Sequence, residues 1–272
     1  MSDNDRFEKF AAEFFKERPI TVDTIRTFKA VVCRRVKAPA SVVRYFAAAK
    51  PWLAMKRLEG AHNIDREGVN LILKAPRIPK KVPESLLPAE VRALLKAAAE
   101  FRVKDYAWYV LLALTTGARP GEVVSIQGSH FSAPKGTLRI FAPKTATARE
   151  VPLKWSTSLT KLAGANLHQG LLMHLTSNRG LPETRYWREL LALAELPVYE
   201  PRILRSTVGT CIASSGHLTG LEYVKWMGHS LKVAVDFYID PEGKRADGNT
   251  IEAWLGAEAE YKALVARCLE TA

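Results

Sequence analysis

Apolar residues recur at helical spacing through the first third of the chain. Val22, Ile25, Phe28, Val31 and Val32 share one helix face, and Val42, Val43, Phe46 and Leu53 mark a second amphipathic set. The pattern breaks at Lys74 to Pro83, where Pro76, Pro79 and Pro83 remove backbone donors and forbid helix. It resumes at Pro88, a favoured first-turn residue, through Val91, Leu94, Leu95 and Ala98. A further helix from about Asp105 is apolar nearly all round and stops at Gly117, which predicts a buried core helix. The one β signal is a pair of short strands, Gly136 to Phe141 and Arg149 to Leu153, around a turn holding Pro143, Lys144 and Thr145. Short helices return from about Pro182 to Tyr238. Near the end, Ile251, Trp254, Tyr261, Val265 and Cys268 lie on one helical face. The predicted class is mainly α with a small β-hairpin or sheet (α+β). The predicted organisation is a helical domain over 1–75, a Pro/Lys-rich linker over 76–87, a larger domain over 88–245 and a C-terminal helix over 246–272.

Composition narrows the class of function. With 47% hydrophobic and 25% charged residues in 272, neither disorder nor a fibrous architecture is expected. The longest apolar run, Ala107 to Leu114, is far short of the ~20 residues that span a bilayer. The N-terminus is polar and partly acidic with no apolar run behind it, so neither secretion nor membrane insertion is expected. Cys33, Cys211 and Cys268 lie far apart in no metal-ligand spacing, which fits a reducing cytoplasm and argues against a disulfide framework or zinc finger. No P-loop, internal repeat or low-complexity tract is found. The expectation is a cytoplasmic protein with no metal and no cofactor.

Charge points to the partner. Forty Lys and Arg against 28 Asp and Glu give +12, and residues 1–80 hold 17 basic and 9 acidic side chains, a net of +8. From Thr24 to Leu58 there are nine basic residues (Arg26, Lys29, Arg34, Arg35, Lys37, Arg44, Lys50, Lys56 and Arg57) and no acidic one. A solvated face would carry compensating acids; this stretch suits phosphates, whose counterions it would release. Arg77, Lys80 and Lys81 in the linker extend the same basic surface. The sign then reverses, with seven acids and four bases over residues 239–272.

Three clusters could carry chemistry. Thr115-Thr116-Gly117-Ala118-Arg119-Pro120-Gly121-Glu122 presents an arginine just past a buried helix, with Glu122 placed to accept from its guanidinium. Arg202 and Arg205, at i and i+3, put two guanidinia on one helix face, a repulsive arrangement unless an anion sits between them. Gly228-His229-Ser230 precedes Tyr238 by nine residues counted from the histidine. Singly, these also read as a helix cap with an ordinary ion pair, a solvated basic face, and a capping histidine with a core or surface tyrosine.

Their order is more specific. Arg119, Lys144 in the hairpin turn, Ile203-Leu204-Arg205, Met227-Gly228-His229 and Phe237-Tyr238 together resemble the tyrosine recombinases, the phage-integrase family, over roughly residues 85–240. The basic helical part fits that family's core-binding domain in size and character. The resemblance implies a two-domain C-shaped clamp on double-stranded DNA, cleaving and rejoining strands site-specifically through a 3′-phosphotyrosine, without ATP or metal. It assigns Tyr238 as nucleophile, Lys144 as general acid, Arg119 and Arg205 as phosphate clamps and His229 as a phosphate hydrogen-bond donor. It further implies a nucleoid-associated homotetramer on two DNA sites, monomer or dimer when free, with accessory DNA-bending factors and a C-terminal helix docking on a neighbouring protomer, although the apolar face of that helix fits folding back on its own domain as well. One departure stands out: Arg202 occupies the place where the family usually has histidine, and a guanidinium cannot accept a proton near neutral pH. There it would act as an extra clamp. Two alternatives remain open at this point: a topoisomerase-like nicking and resealing enzyme, and a catalytically degenerate recombinase acting as a DNA-binding regulator.

Overall fold

The structure, a computed structural model, describes residues 3–76, 84–142, 146–174, 182–228, 230 and 247–270. The chain divides into two compact units, Met1–Lys81 and Val82–Ala272.

The first unit is helical. It begins with α1 (Asp3–Phe15), a helix outside the expected set. Its signal is an aromatic stripe, Phe7, Phe10, Phe14 and Phe15, at helical spacing in a segment read only as polar. The stripe meets α2 (Val22–Arg35) and α3 (Pro39–Leu58): Phe14 packs edge-on to Phe28 at 5.3 Å between centroids, and Phe15 stacks on Trp52 at 5.5 Å. Helix α2 starts at a reciprocal cap, in which the Thr21 hydroxyl accepts from Thr24 N–H at 3.2 Å and the Thr24 hydroxyl accepts from Thr21 N–H at 2.8 Å. Pro39 opens α3 at the position where a missing N–H costs nothing. The short α4 (Arg66–Ile72) closes the core with Val69, its N-terminus capped by Asp65.

The second unit is built around α6 (Asp105–Thr116), buried from Tyr106 to Thr116. Helices α5 (Pro88–Glu100), α10 (Ile203–Ser215) and α13 (Glu258–Leu269) pack on it. Short α7 (Pro120–Val123) leads to an antiparallel sheet in the order β1 (Phe131–Ser132), β2 (Thr137–Ala142), β3 (Thr147–Pro152). The β2–β3 register runs from Thr137 opposite Pro152 to Ala142 opposite Thr147, so residues 143–146 connect the strands. Helices α8 (Thr157–Ala163), α9 (Thr184–Leu193), α11 (Gly220–Met227) and α12 (Ile251–Trp254) complete the unit. Mainly helical with one small sheet is the expected class.

The C-terminal segment corrects an expectation. It is two helices, α12 and α13, separated at Gly256, whose φ of +63° interrupts the run. Its apolar face packs within its own unit: Ile251, Tyr261, Val265 and Cys268 belong to the core. The Tyr261 hydroxyl donates to the Leu114 carbonyl at 3.2 Å. A buried carboxylate, Glu252, accepts from the Ser156 hydroxyl at 2.6 Å and from Ser158 N–H at 2.9 Å, capping α8. Among the described residues no helix is long and apolar enough to cross a membrane.

Candidate active site

The site begins where two helices end. Helices α6 and α11 both terminate at glycines in the left-handed conformation, Gly117 (φ +61°) and Gly228 (φ +62°). A Cβ on Gly117 would lie 2.7 Å from Met227 Sδ and 2.9 Å from Val208 Cγ1, so a side chain is excluded and the two ends stay close. The Trp226 indole N–H donates to the Thr116 carbonyl at 3.0 Å and holds them together.

Helix C-termini present carbonyls with no intrahelical partner and a negative potential, and arginine answers both. Arg205, in the first turn of α10, is only 7% exposed; its Nη1 donates to the Gly117 carbonyl at 2.6 Å and its Nη2 to the Met227 carbonyl at 2.5 Å. It therefore bridges the residue two before Arg119 and the residue two before His229. Arg202 departs from the expected shared face. It is the exposed cap residue of α10, while Arg205 turns inward beside Ile203 and Leu204.

Arg119 leaves α6 at the entry to α7, its side chain 48% exposed. Its Nη1 donates to Glu122 Oε1 at 2.7 Å and its backbone N–H to Glu122 Oε2 at 3.0 Å. Glu122 is 3% exposed. Burial alone would raise its carboxyl, but the charge of Arg149 and the hydrogen bonds from Arg119 outweigh that and hold it below the usual carboxylate range.

The second partner of Glu122 is a residue missed in the sequence. Arg149 of β3 pairs with Glu122 through Nη2 at 2.9 Å and donates from Nε to the Trp226 carbonyl at 2.8 Å. Its signal was strand alternation. Arg149 lies opposite Ile140 and shares a face with Val151 and Leu138, all three buried, so a cation stands where the period of two calls for an apolar side chain.

Lys144, His229 and Tyr238, with Arg77, Lys80 and Lys81 of the linker, lie outside the described residues. The basic residues of α2 and α3 are all at least partly exposed, Arg26, Arg34, Arg35, Arg44 and Arg57 fully so, as is Lys37 between the helices. Two are engaged by acids flanking the acid-free run: Arg26 meets Asp23 at 3.3 Å and Lys56 meets Glu59 at 2.5 Å. Among the described residues no three His, Cys, Asp or Glu side chains gather as metal ligands would.

Solved structures resemble this chain at low sequence identity. The Tn1549 transposon integrase in complex with a circular intermediate DNA aligns at a TM-score of 0.62 and 13% identity, over 88% of this chain and 90% of that one. A lambda integrase dimer bound to a core site aligns at 0.57 and 16%, over 89% and 98%. XerH site-specific recombinase bound to a palindromic difH substrate aligns at 0.58 and 18%, over 83% and 72%. No protein-family model and no curated protein matches the sequence. The chain has the fold of the tyrosine recombinases and integrases.

Proposed function

We propose that this protein is a site-specific DNA recombinase that cuts and rejoins strands through a phosphotyrosine formed on Tyr238. The observation that carries the reading is the joining of the ends of α6 and α11 by Arg205, whose two carbonyl partners stand two residues before Arg119 and two residues before His229. The DNA-bound integrases and recombinase of the same fold add to it.

Cleaving a phosphodiester without a metal needs a nucleophile, charge stabilisation on the non-bridging oxygens and an acid for the leaving oxygen. Two arginines supply fixed donors that stay protonated at any working pH. Preorganised donors of this kind lower a barrier by about 3 kcal/mol each. The Tyr238 hydroxyl gives its proton to water or to a non-bridging phosphate oxygen, since Arg202 cannot take it; its oxygen attacks phosphorus, the bond to the 5′ oxygen breaks, and Lys144 gives that oxygen its proton. The 3′-phosphotyrosine conserves the ester, so a second 5′-hydroxyl can attack it, release the tyrosine and reseal the strand without ATP. His229 donates to the phosphate, and Arg202, exposed at the start of α10, adds a further cation. The basic face of α2 and α3 holds double-stranded DNA, with a tetramer spanning two sites during exchange.

The test is capture of covalent protein–DNA adducts from cells expressing the chain, with Tyr238→Phe in parallel and the attached DNA sequenced. Adducts are expected only with the tyrosine present, enriched at one short inverted repeat. Adducts at scattered sequences would support a nicking and resealing enzyme. Tight DNA binding by both versions with no adduct would leave a regulator, with Arg202 marking the lost chemistry.

A further inference from the structure

We infer that Arg149 is a positioning residue for the phosphate clamp Arg119, acting through the carboxylate they share; this rests on the proposed strand-cleaving function. The Arg119 side chain is half exposed and would be free to turn if Glu122 were free to turn. Glu122 accepts from the Arg119 guanidinium at Oε1 and from the Arg119 backbone N–H at Oε2, and the same Oε2 forms an ion pair with Arg149 Nη2 at 2.9 Å. The orientation of that carboxylate therefore sets where the Arg119 fork points, and Arg149 sets the orientation of the carboxylate.

Arg149 is able to do so because it is fixed at both ends. Its side chain is 11% exposed on the inward face of β3. Its Nε–H is committed to the Trp226 carbonyl, and its stem passes under Gly228, where an added Cβ would stand 3.1 Å from Arg149 Cδ. One side chain thus joins the strand that follows the Lys144 turn, the carboxylate that aims Arg119, and the helix end that leads to His229. A cation needed only to neutralise Glu122 would not require the hydrogen bond to Trp226. Supporting groups of this kind typically change activity by 10- to 100-fold when removed, as measured around metal ligands.

The experiment compares single-turnover strand scission on a synthetic duplex carrying the sequence recovered from adducts of the unaltered chain. A second duplex carries a methylphosphonate at the scissile position, which removes the negative charge that Arg119 neutralises. Arg149→Gln is expected to slow scission of the phosphodiester roughly 10- to 100-fold. DNA affinity should stay near that of the unaltered chain, and most of the defect should disappear on the methylphosphonate, as it should for Arg119→Ala. Arg149→Lys, which keeps the charge and one donor, is expected to recover part of the rate, and it decides by the same comparison if the glutamine variant does not fold. Equal slowing on both duplexes, or none on either, overturns the inference while leaving the functional reading intact. Failure of the unaltered chain to form any adduct overturns both.

Discussion

At the scale of single residues, the second unit hides several polar groups, and most have a clear assignment. Thr115, Thr116, Ser156, Ser158, Glu122, Arg205 and Glu252 are buried and hydrogen-bonded. Tyr109 is different: its ring packs on Trp187 at 6.0 Å, but its hydroxyl, at full burial, has no partner among the described residues. An unsatisfied buried hydroxyl costs about 1–3 kcal/mol of desolvation that nothing returns. Tyr109→Phe should therefore raise the thermal midpoint of the second unit; a lower midpoint in a calorimetric scan would mean that the oxygen is satisfied after all. The burial of Tyr109 and Cys211 also pushes their ionisation up, the thiol to about 12, so neither supplies an anion at neutral pH. Among the residues of the site, Arg119, Arg205 and Glu122 could be found from the sequence because motif spacing marks them. Arg149 carries only the weaker signal of a cation at an inward strand position, and its pairing with Glu122 depends on how the hairpin packs.

At the scale of elements, the C-terminal segment is held by one buried charge as well as by its apolar face. Glu252 closes the N-terminus of α8, where free N–H groups and the helix potential favour an anion. Removing the acceptor leaves buried donors unsatisfied, at about 1–3 kcal/mol for each. Glu252→Ala should lower stability by that order and speed amide exchange across α12 and α13 before the rest of the unit; uniform exchange throughout would deny the segment this separate anchor. The sequence showed the apolar face of the segment but not its destination. An amphipathic helix looks the same whether it docks on its own chain or on another, and only the placement of α5 and α6 gave it a surface. The aromatic stripe of α1 is legible for the opposite reason: its period is local, although charges flank it.

At the scale of the molecule, the two units have separate cores and carry different charge. In the first, Lys29, Arg34, Lys37, Arg44, Lys50 and Arg57 have no acidic partner among the described ion pairs, whereas Arg26 and Lys56 do. If this face lies on phosphates, each contact releases about one counterion. Arg34→Ala and Arg44→Ala should each reduce the slope of log affinity against log salt by roughly 1, while Arg26→Ala should change it less. Equal slopes for all three, measured on duplex DNA over a range of salt, would move the phosphate-binding surface elsewhere.

The sequence by itself determined the basic amphipathic helices, the buried core helix, the hairpin and where the positive charge accumulates, because periodicity, proline and glycine placement and net charge are properties of neighbouring residues. It also ordered the candidate residues from Arg119 to Tyr238. What only the tertiary structure decided is how residues distant along the chain meet. The carbonyls of Gly117 and Met227 share Arg205, and Glu122 is held between Arg119 and Arg149. Those partnerships arise because burying helix ends and a carboxylate requires each to find opposite charge nearby, and what is nearby is fixed by packing rather than by position in the sequence.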